Sequence, residues 1–322
     1  MKNILVTGGR GFIGFNALTS WSASHVGHSF VNVDAETYAD KFLIDEKNRW
    51  LDENNIPRFV LDLGSDEAIE SLRSIVETFD IDTMVLFGAE SHVDNSIAGP
   101  KVFFRSNIIG AVNALEVARK HNLRVHYVST DEVYGITYPN DETGDPSMSP
   151  IIPSSPYSSS KASADLICRS YFKTYGLNVT VSRCSNNFGP WQAPEKLIPT
   201  ILGKLESKEK IPVYGDGRQC RQWIYVDDHN EAIMDILQNG EPGGVYNISS
   251  NKFGYMRNID IISIFAEMYG RKLEDVIEHV KDRPGHDTSY FIRNYRNLDY
   301  GETHIRDMLV QTCDWYRQNL GS

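Results

Sequence analysis

The feature that most constrains this chain is an alternation that begins almost at its first residue. NILVT (3–7) has the β-branched, apolar character of a strand, FIGFNALTSW (12–21) the period of a helix, and FVNVD (30–34) returns to strand. RFVLDL (58–63), DEAIESLRSIVETF (66–79), TMVLFGA (83–89), PKVFFRSNIIGAVNALEVARKH (100–121) and RVHYVST (124–130) extend the series. Strand alternating with helix predicts a parallel sheet covered by helices on both faces. At 322 residues the chain can bury one large core or two modest ones. Beyond residue 185 Pro and Gly recur (Gly189, Pro190, Pro194, Pro199, Gly203, Pro212, Gly215, Gly217) and the runs shorten, which predicts a second, smaller region. WIYVDDHNEAIMDIL (223–237) reads as one more strand–helix unit of the sheet. No repeat or flexible linker separates the regions, so they are expected to pack together.

Composition removes several function classes. A formal charge of −11 argues against nonspecific nucleic-acid or acidic-membrane binding, both of which need a basic face, although it permits a local pocket for an anionic small molecule. The four cysteines, Cys168, Cys184, Cys220 and Cys313, are widely spaced and form no CxxC pair, which argues against a zinc site or a disulfide framework and for a reducing cytoplasm. MKNILVTGG passes from one lysine to a short strand and glycines, unlike a signal peptide, and no apolar run has the length of a bilayer span. The expectation is a soluble, cytoplasmic protein.

TGGRGFIG (7–14) places Gly8, Gly11 and Gly14 between the first strand and the first helix. Small residues there let the backbone turn tightly and approach a pyrophosphate at the helix N-terminus. Asp34 ends the second strand, where a carboxylate can accept hydrogen bonds from both hydroxyls of an adenosine ribose, favouring NAD over NADP. Dinucleotide binding is the expectation.

SSPYSSSKASADLICRSYF (154–172) opens a helix with Tyr157 and Lys161 at i and i+4, on one face. A neighbouring ammonium favours phenolate and would make Tyr157 a base for an alcohol. In VSTDEVYGITYP (128–139), an alcohol, two adjacent carboxylates and a phenol follow an apolar run. Taken alone, such a pair usually reads as a strand end followed by a solvated turn. His92 beside Asp94 has no third ligand at metal spacing and is expected to be a hydrogen-bonded structural histidine. No GxSxG elbow is present.

TGGRGFIG, the Tyr157/Lys161 pair and STDEVYG together resemble the extended short-chain dehydrogenase/reductases, and within them the nucleoside-diphosphate-hexose 4,6-dehydratases. The likeness continues through AESHVDNSI (89–97), RCSNNFGPWQAPEKLIP (183–199), GDGRQCRQWIYVDDH (215–229) and DRPGHD (282–287). It implies a Rossmann-type, doubly wound α/β fold with a smaller C-terminal α/β substrate-binding region, divided as 1–184 plus 222–250 against 185–221 plus 251–322. It implies NAD chemistry on glucose linked to thymidine or uridine diphosphate, with Tyr157 taking the C4-hydroxyl proton, Lys161 tuning it and Thr130 hydrogen-bonding that hydroxyl. Glu132 would remove the C5 proton and Asp131 would protonate the departing C6 hydroxyl, which requires Asp131 to hold a proton well above the usual carboxyl pKa of ~4. Related 4-epimerases need no such pair, and related decarboxylases keep the glutamate without the aspartate.

The same resemblance puts Phe12, Ile13, Asp62, Leu63, Ala89, Ser106 and Asn187 with Gly8, Gly11, Gly14, Asp34, Tyr157 and Lys161 around the cofactor. Ser91, Asn186, Glu195, Lys196, Arg221, Asn251 and His286, together with Thr130, would meet the sugar nucleotide, and Pro212, Val213 and Tyr214 would wall its base. It also implies a homodimer through the helices of 100–121 and 157–175. Departures from the family pattern are Phe15 and Leu86, Gln222 beside Arg221, the stretch 35–56, and FIRNYRNLDYGETH (291–304). A 4-epimerase or decarboxylase of the same fold is the nearest alternative, and a catalytically silent NAD-binding protein is the alternative from another class.

Overall fold

The computed structural model describes residues 2–37, 41–141, 145–250, 255–282, 286–294 and 305–320. Its centre is a seven-stranded sheet in the order Val245–Ile248, Val179–Cys184, Arg124–Thr130, Thr83–Leu86, Lys2–Thr7, His28–Asp34, Arg58–Val60. Every neighbouring pair runs parallel. From the first strand the chain builds outward to Arg58–Val60, then returns to the other side of the first strand. That reversal opens a crevice at the carboxyl ends of Lys2–Thr7 and Thr83–Leu86, where open α/β sheets bind ligands.

The two faces of the sheet bury separate cores. Leu5 and Val33 point to one, with Leu72, Leu115 and Ala118 from the covering helices. Ile4 and Val6 point to the other, with Phe15, Leu18, Trp21 and Ile233. The period-two alternation within one buried strand therefore serves both layers. A third core, including Phe188, Ile198, Ile211, Trp223, Phe265 and Leu309, belongs to the later part of the chain.

Two expectations need correction. Trp223–Tyr225 does not join the large sheet; it pairs in parallel with Asn186–Phe188, and the helix that follows, Val226–Asn239, packs on Phe12–Ser24. The strand that completes the large sheet is Val245–Ile248, four residues that are too short to show a period. The helical stretch predicted over 100–121 is also not one helix. After Pro100–Phe103 comes a π-helical turn, Phe104–Ile109, and only then the α-helix Gly110–His121. The wide turn carries Asn107 inward, where its Oδ1 accepts the Glu90 N–H (2.8 Å) and its Nδ2 donates to the Glu90 carbonyl (3.0 Å) and Ser160 Oγ (2.8 Å). Such turns concentrate at functional sites.

A fully buried ion pair ties the sheet to the helix that carries Tyr157. Arg183 Nε and Nη2 donate to Asp165 Oδ2 (2.8 Å) and Oδ1 (3.0 Å), and Nη1 reaches Tyr134 Oη and the Pro146 carbonyl, both at 2.7 Å. The helix itself, Pro156–Tyr175, starts on a capping box between Ser155 and Ser158 with Pro156 in its first turn. No helix among the described residues is long and apolar enough to cross a membrane.

Candidate active site

At the crevice, the first turn is shaped by two glycines. Gly8 has φ +69°, and a Cβ on Gly14 would collide with the Gly8 carbonyl oxygen. Neither position tolerates a side chain without moving backbone. Gly11 caps the helix Phe12–Ser24 with no side-chain hydrogen bond and no acid in the first turn, so the helix N-terminus stays open to an anion. Asp34 closes this end: Oδ2 accepts the Arg10 N–H (2.9 Å) and Oδ1 the Glu36 N–H (3.2 Å), which fixes the carboxylate against the cleft.

The crevice forms a continuous cleft that opens to solvent. Gly8, Gly11, Phe12, Ile13, Gly14, Asp34, Asp62, Leu63, Ala89, Ser106 and Asn187 line it, as do Ser91, Asn186, Glu195 and Lys196. Thr130, Asp131, Glu132, Tyr157 and Lys161 form its inner wall. Ser106 reaches it from the π-helical turn. Lys196 Nζ donates to the Ser91 carbonyl (3.2 Å), joining two of these positions across 105 residues of sequence.

Other expected positions lie elsewhere. Pro212, Val213 and Tyr214 sit on the strand Ile211–Tyr214, with Val213 packed in the third core and Tyr214 partly exposed, its ring edge-on to His286. His286 Nδ1 meets Asp282 Oδ1 (2.7 Å). Asn251 falls outside the described residues. Arg221 is buried close enough to Asp131 for its charge to oppose the rise in that carboxyl's pKa. Its guanidinium donates to the carbonyls of Cys220 (2.8 Å) and Asp287 (2.9 Å) and stacks 4.2 Å from the Tyr290 ring. The neighbouring Gln222 leaves Arg221 anchored and instead accepts the Ile292 N–H (2.7 Å). His92 has a structural role, its Nδ1 accepting the Asn95 N–H (3.3 Å) at a helix start.

Thr130 ends its strand and caps the turn Asp131–Tyr134, accepting the Glu132 N–H and donating to Asp131 Oδ1, each at 3.3 Å. Asp131 is almost fully buried, and burial, reinforced by Glu132, lifts its pKa from 3.8 to about 8. It is a protonated acid at neutral pH, which meets the requirement for a donor. Tyr157 departs from expectation. Burial first, then the Glu132 charge, raises its pKa well above 10, although a Thr130 hydrogen bond works the other way. Lys161 is itself lowered to about 8 by burial. Its Nζ donates to the Val128 carbonyl (2.6 Å) and lies 4.3 Å from the Tyr127 ring centre. The lysine is thus spent on a strand carbonyl and a neighbouring ring, and Tyr157 is held as the phenol.

Sequence reasoning missed Glu90, Cys184 and Gln192, all on the cleft wall. Glu90 lies within AESHVDNSI, and its place just past a predicted strand end was the available signal. Burial raises its pKa, and it raises that of the Cys184 thiol to about 12. Five buried polar atoms of this wall, Ser129 Oγ, Asp131 Oδ2, Ser185 Oγ, Asn187 Oδ1 and Gln192 Oε1, have no hydrogen-bond partner among the described residues. Buried polar atoms are rarely left so, and their grouping here fits a polar ligand.

A family model for the NAD-dependent epimerases and dehydratases matches residues 4–249. The chain belongs to this family. A dTDP-glucose 4,6-dehydratase of Mycobacterium tuberculosis is 38% identical, over 98% of this chain and 93% of the relative. Solved structures of dTDP-glucose 4,6-dehydratases agree in fold. That of Streptomyces venezuelae, with NAD bound, superposes with a TM-score of 0.89 at 36% identity, covering 99% of this chain and 98% of the other. That of Bacillus anthracis, in complex with NAD, gives 0.88 at 36% identity, covering 99% and 97%. The family joins epimerases to dehydratases, so the carboxylates beside Thr130 have to separate the two chemistries.

Proposed function

We propose that the chain is an NAD-dependent nucleoside-diphosphate-hexose 4,6-dehydratase acting on dTDP-glucose, with UDP-glucose as the second candidate. The observation that carries this reading is the pair Asp131–Glu132, one carboxyl held protonated by burial beside a second, on the wall that also holds Thr130 and Tyr157. An epimerase has no use for such a pair. The residues fit the cofactor: the open helix start at Gly11, the fixed Asp34 carboxylate and the unpartnered Asn187 Oδ1 would hold it. Bound there, NAD supplies a hydride acceptor that later gives the hydride back.

The proton work falls to this chain. Thr130 hydrogen-bonds the C4 hydroxyl, and Tyr157 takes its proton as the phenolate, a form that burial disfavours in the protein alone and that the positive charge of bound NAD would favour. The resulting C4 ketone acidifies the C5 hydrogen, which Glu132 removes. Asp131 protonates the C6 hydroxyl, so that the C6–O bond breaks and water leaves. Arg221 and Lys196 serve the diphosphate, with 185–221 and 251–322 as the sugar-nucleotide region. Ile97, Val102, Phe104, Ile109 and Leu166 are exposed apolar residues on or beside the helices expected to pair two copies, and they support a homodimer. A cytoplasmic location agrees with four unpaired cysteines.

The test incubates the protein with dTDP-glucose and, separately, UDP-glucose, and follows product mass with the alkaline absorbance of a 4-keto-6-deoxy sugar. Loss of one water without net NAD consumption supports the proposal and names the base. An epimerised or decarboxylated product from a wider sugar-nucleotide panel overturns it.

A further inference from the structure

The C-terminal helix Ile305–Leu320 contributes no residue to the cleft wall, yet it holds one in place. Tyr316, 3% exposed, donates its hydroxyl to the carbonyl of Gln192, 124 residues away in sequence. Gln192 Nε2 donates in turn to the Asn187 carbonyl (3.1 Å), and Asn187 Nδ2 to the Ser185 carbonyl (3.1 Å). Three side chains thus run in relay from the C-terminal helix to the end of the strand Val179–Cys184, each donating to the backbone of the next.

The segment that carries Gln192 is set by rings. Trp191 has φ 66°, a left-handed conformation that a non-glycine residue adopts at a cost. Its ring stands edge-on to Phe15, with centroids 4.8 Å apart, and tilted against Trp315 at 4.9 Å. Asn16 Nδ2 donates to the Pro190 carbonyl (2.9 Å). The segment is therefore clamped between the helix Phe12–Ser24 and the C-terminal helix, and the aromatic contacts help to offset the cost at Trp191.

The relay decides which ends of two amides are left for a ligand. A backbone carbonyl only accepts, so the nitrogen of each amide must face it and the oxygen is turned away. Gln192 and Asn187 are each 8% exposed and both line the cleft. Gln192 Oε1 and Asn187 Oδ1 have no hydrogen-bond partner among the described residues. Buried acceptors are costly to leave unmet, so a pair of them calls for donors. Diphosphate oxygens bring none, whereas hydroxyls and a carboxamide do.

We infer that Tyr316 is a positioning residue for ligand binding: through the Gln192 carbonyl it holds the amide oxygens of Gln192 and Asn187 as paired acceptors for hydroxyl or carboxamide donors. Such donors belong to the nicotinamide riboside of NAD or to the hexose of a sugar nucleotide. The inference rests on ligand occupancy of the cleft and not on 4,6-dehydration.

A double-mutant cycle read by calorimetric titration tests it. NAD is titrated into the full chain, and dTDP-glucose into the full chain carrying Tyr157→Phe, which suppresses turnover. Tyr316→Phe removes one oxygen and keeps the ring; it is expected to weaken one of the two ligands about three- to tenfold, the scale of a single hydrogen bond. Gln192→Met, of similar length and with neither amide atom, weakens the same ligand at least as much. In the Gln192→Met background Tyr316→Phe then has no further effect, because the two residues act in series. The ligand that responds names the source of the donors. Unchanged affinity for both ligands in either single variant overturns the inference. So does a loss from Tyr316→Phe that persists undiminished beside Gln192→Met, which marks Tyr316 as a general brace of the fold. If dTDP-glucose binds none of these proteins, the proposed substrate is wrong, and the NAD series alone decides the inference.

Discussion

Replacing Asp131 with asparagine removes a proton donor and a buried ionisable group while keeping the shape of the side chain, so it separates catalysis from stability. In the fold this carboxyl titrates at about 8, against 3.8 ordinarily, chiefly because it is buried and secondarily because Glu132 is adjacent. Between those values the folded chain holds a proton that the unfolded chain releases, so stability falls as pH rises through the window. The full displacement corresponds to about 6 kcal/mol at and above pH 8, taken as an upper bound. Asp131→Asn has no such dependence. Its melting temperature should match that of the unmodified chain near pH 4 and exceed it increasingly toward pH 8, by on the order of 10 °C. Turnover should fall by roughly 10²–10⁴, the range of general acid catalysis, because water can no longer be expelled with an enzymic proton. The assays are thermal denaturation across pH and product mass with dTDP-glucose. Parallel melting curves for the two proteins from pH 4 to 8.5 would refute the buried-acid argument, and turnover within tenfold would refute the donor role.

Glu132→Gln should lower dehydration by about 10²–10⁴. It should also move the alkaline limb of any residual activity to lower pH, since the Glu132 charge raises the pKa of the donor Asp131; a pH–rate profile checks this. Gly14→Ala forces a methyl into the Gly8 carbonyl and should weaken NAD binding and destabilise the fold by about 2–4 kcal/mol, read by titration and denaturant unfolding. Asp165→Asn leaves Arg183 buried without its counter-charge and should cost about 3–5 kcal/mol, which urea unfolding measures. Leu166→Glu, on the exposed apolar face, should yield monomers in sedimentation velocity while leaving the far-ultraviolet spectrum unchanged.

Much of the fold was legible because its signals are local. Gly8, Gly14 and Asp34 each answer to a backbone or ligand requirement within a few residues, and the strands from 3–7 to 124–130 carry their own periods. What escaped depends on tertiary context. Trp223–Tyr225 has a strand's composition, but composition does not say which sheet receives it. The phenol of Tyr157 and the ammonium of Lys161 share a helix face as their spacing dictates, yet their charge states follow from burial and, for Tyr157, from the Glu132 charge. Arg10 and residues 44–53 look unrelated until the fold brings them together, Arg10 donating to Asn48 Oδ1 and its carbonyl accepting from Lys47 Nζ.

The π-helical turn Phe104–Ile109 carries a consequence for how this chain can change. Each residue of a helix accounts for about 100° of rotation, so shortening the turn by one residue would swing everything before it round the axis by that angle. Ser106 would leave the cleft, Asn107 would lose Glu90, and Phe104 would no longer face outward. Substitutions can drift in this stretch one at a time, but insertions and deletions cannot. Among descendants of this chain its length should stay frozen while the flanking loops grow and shrink.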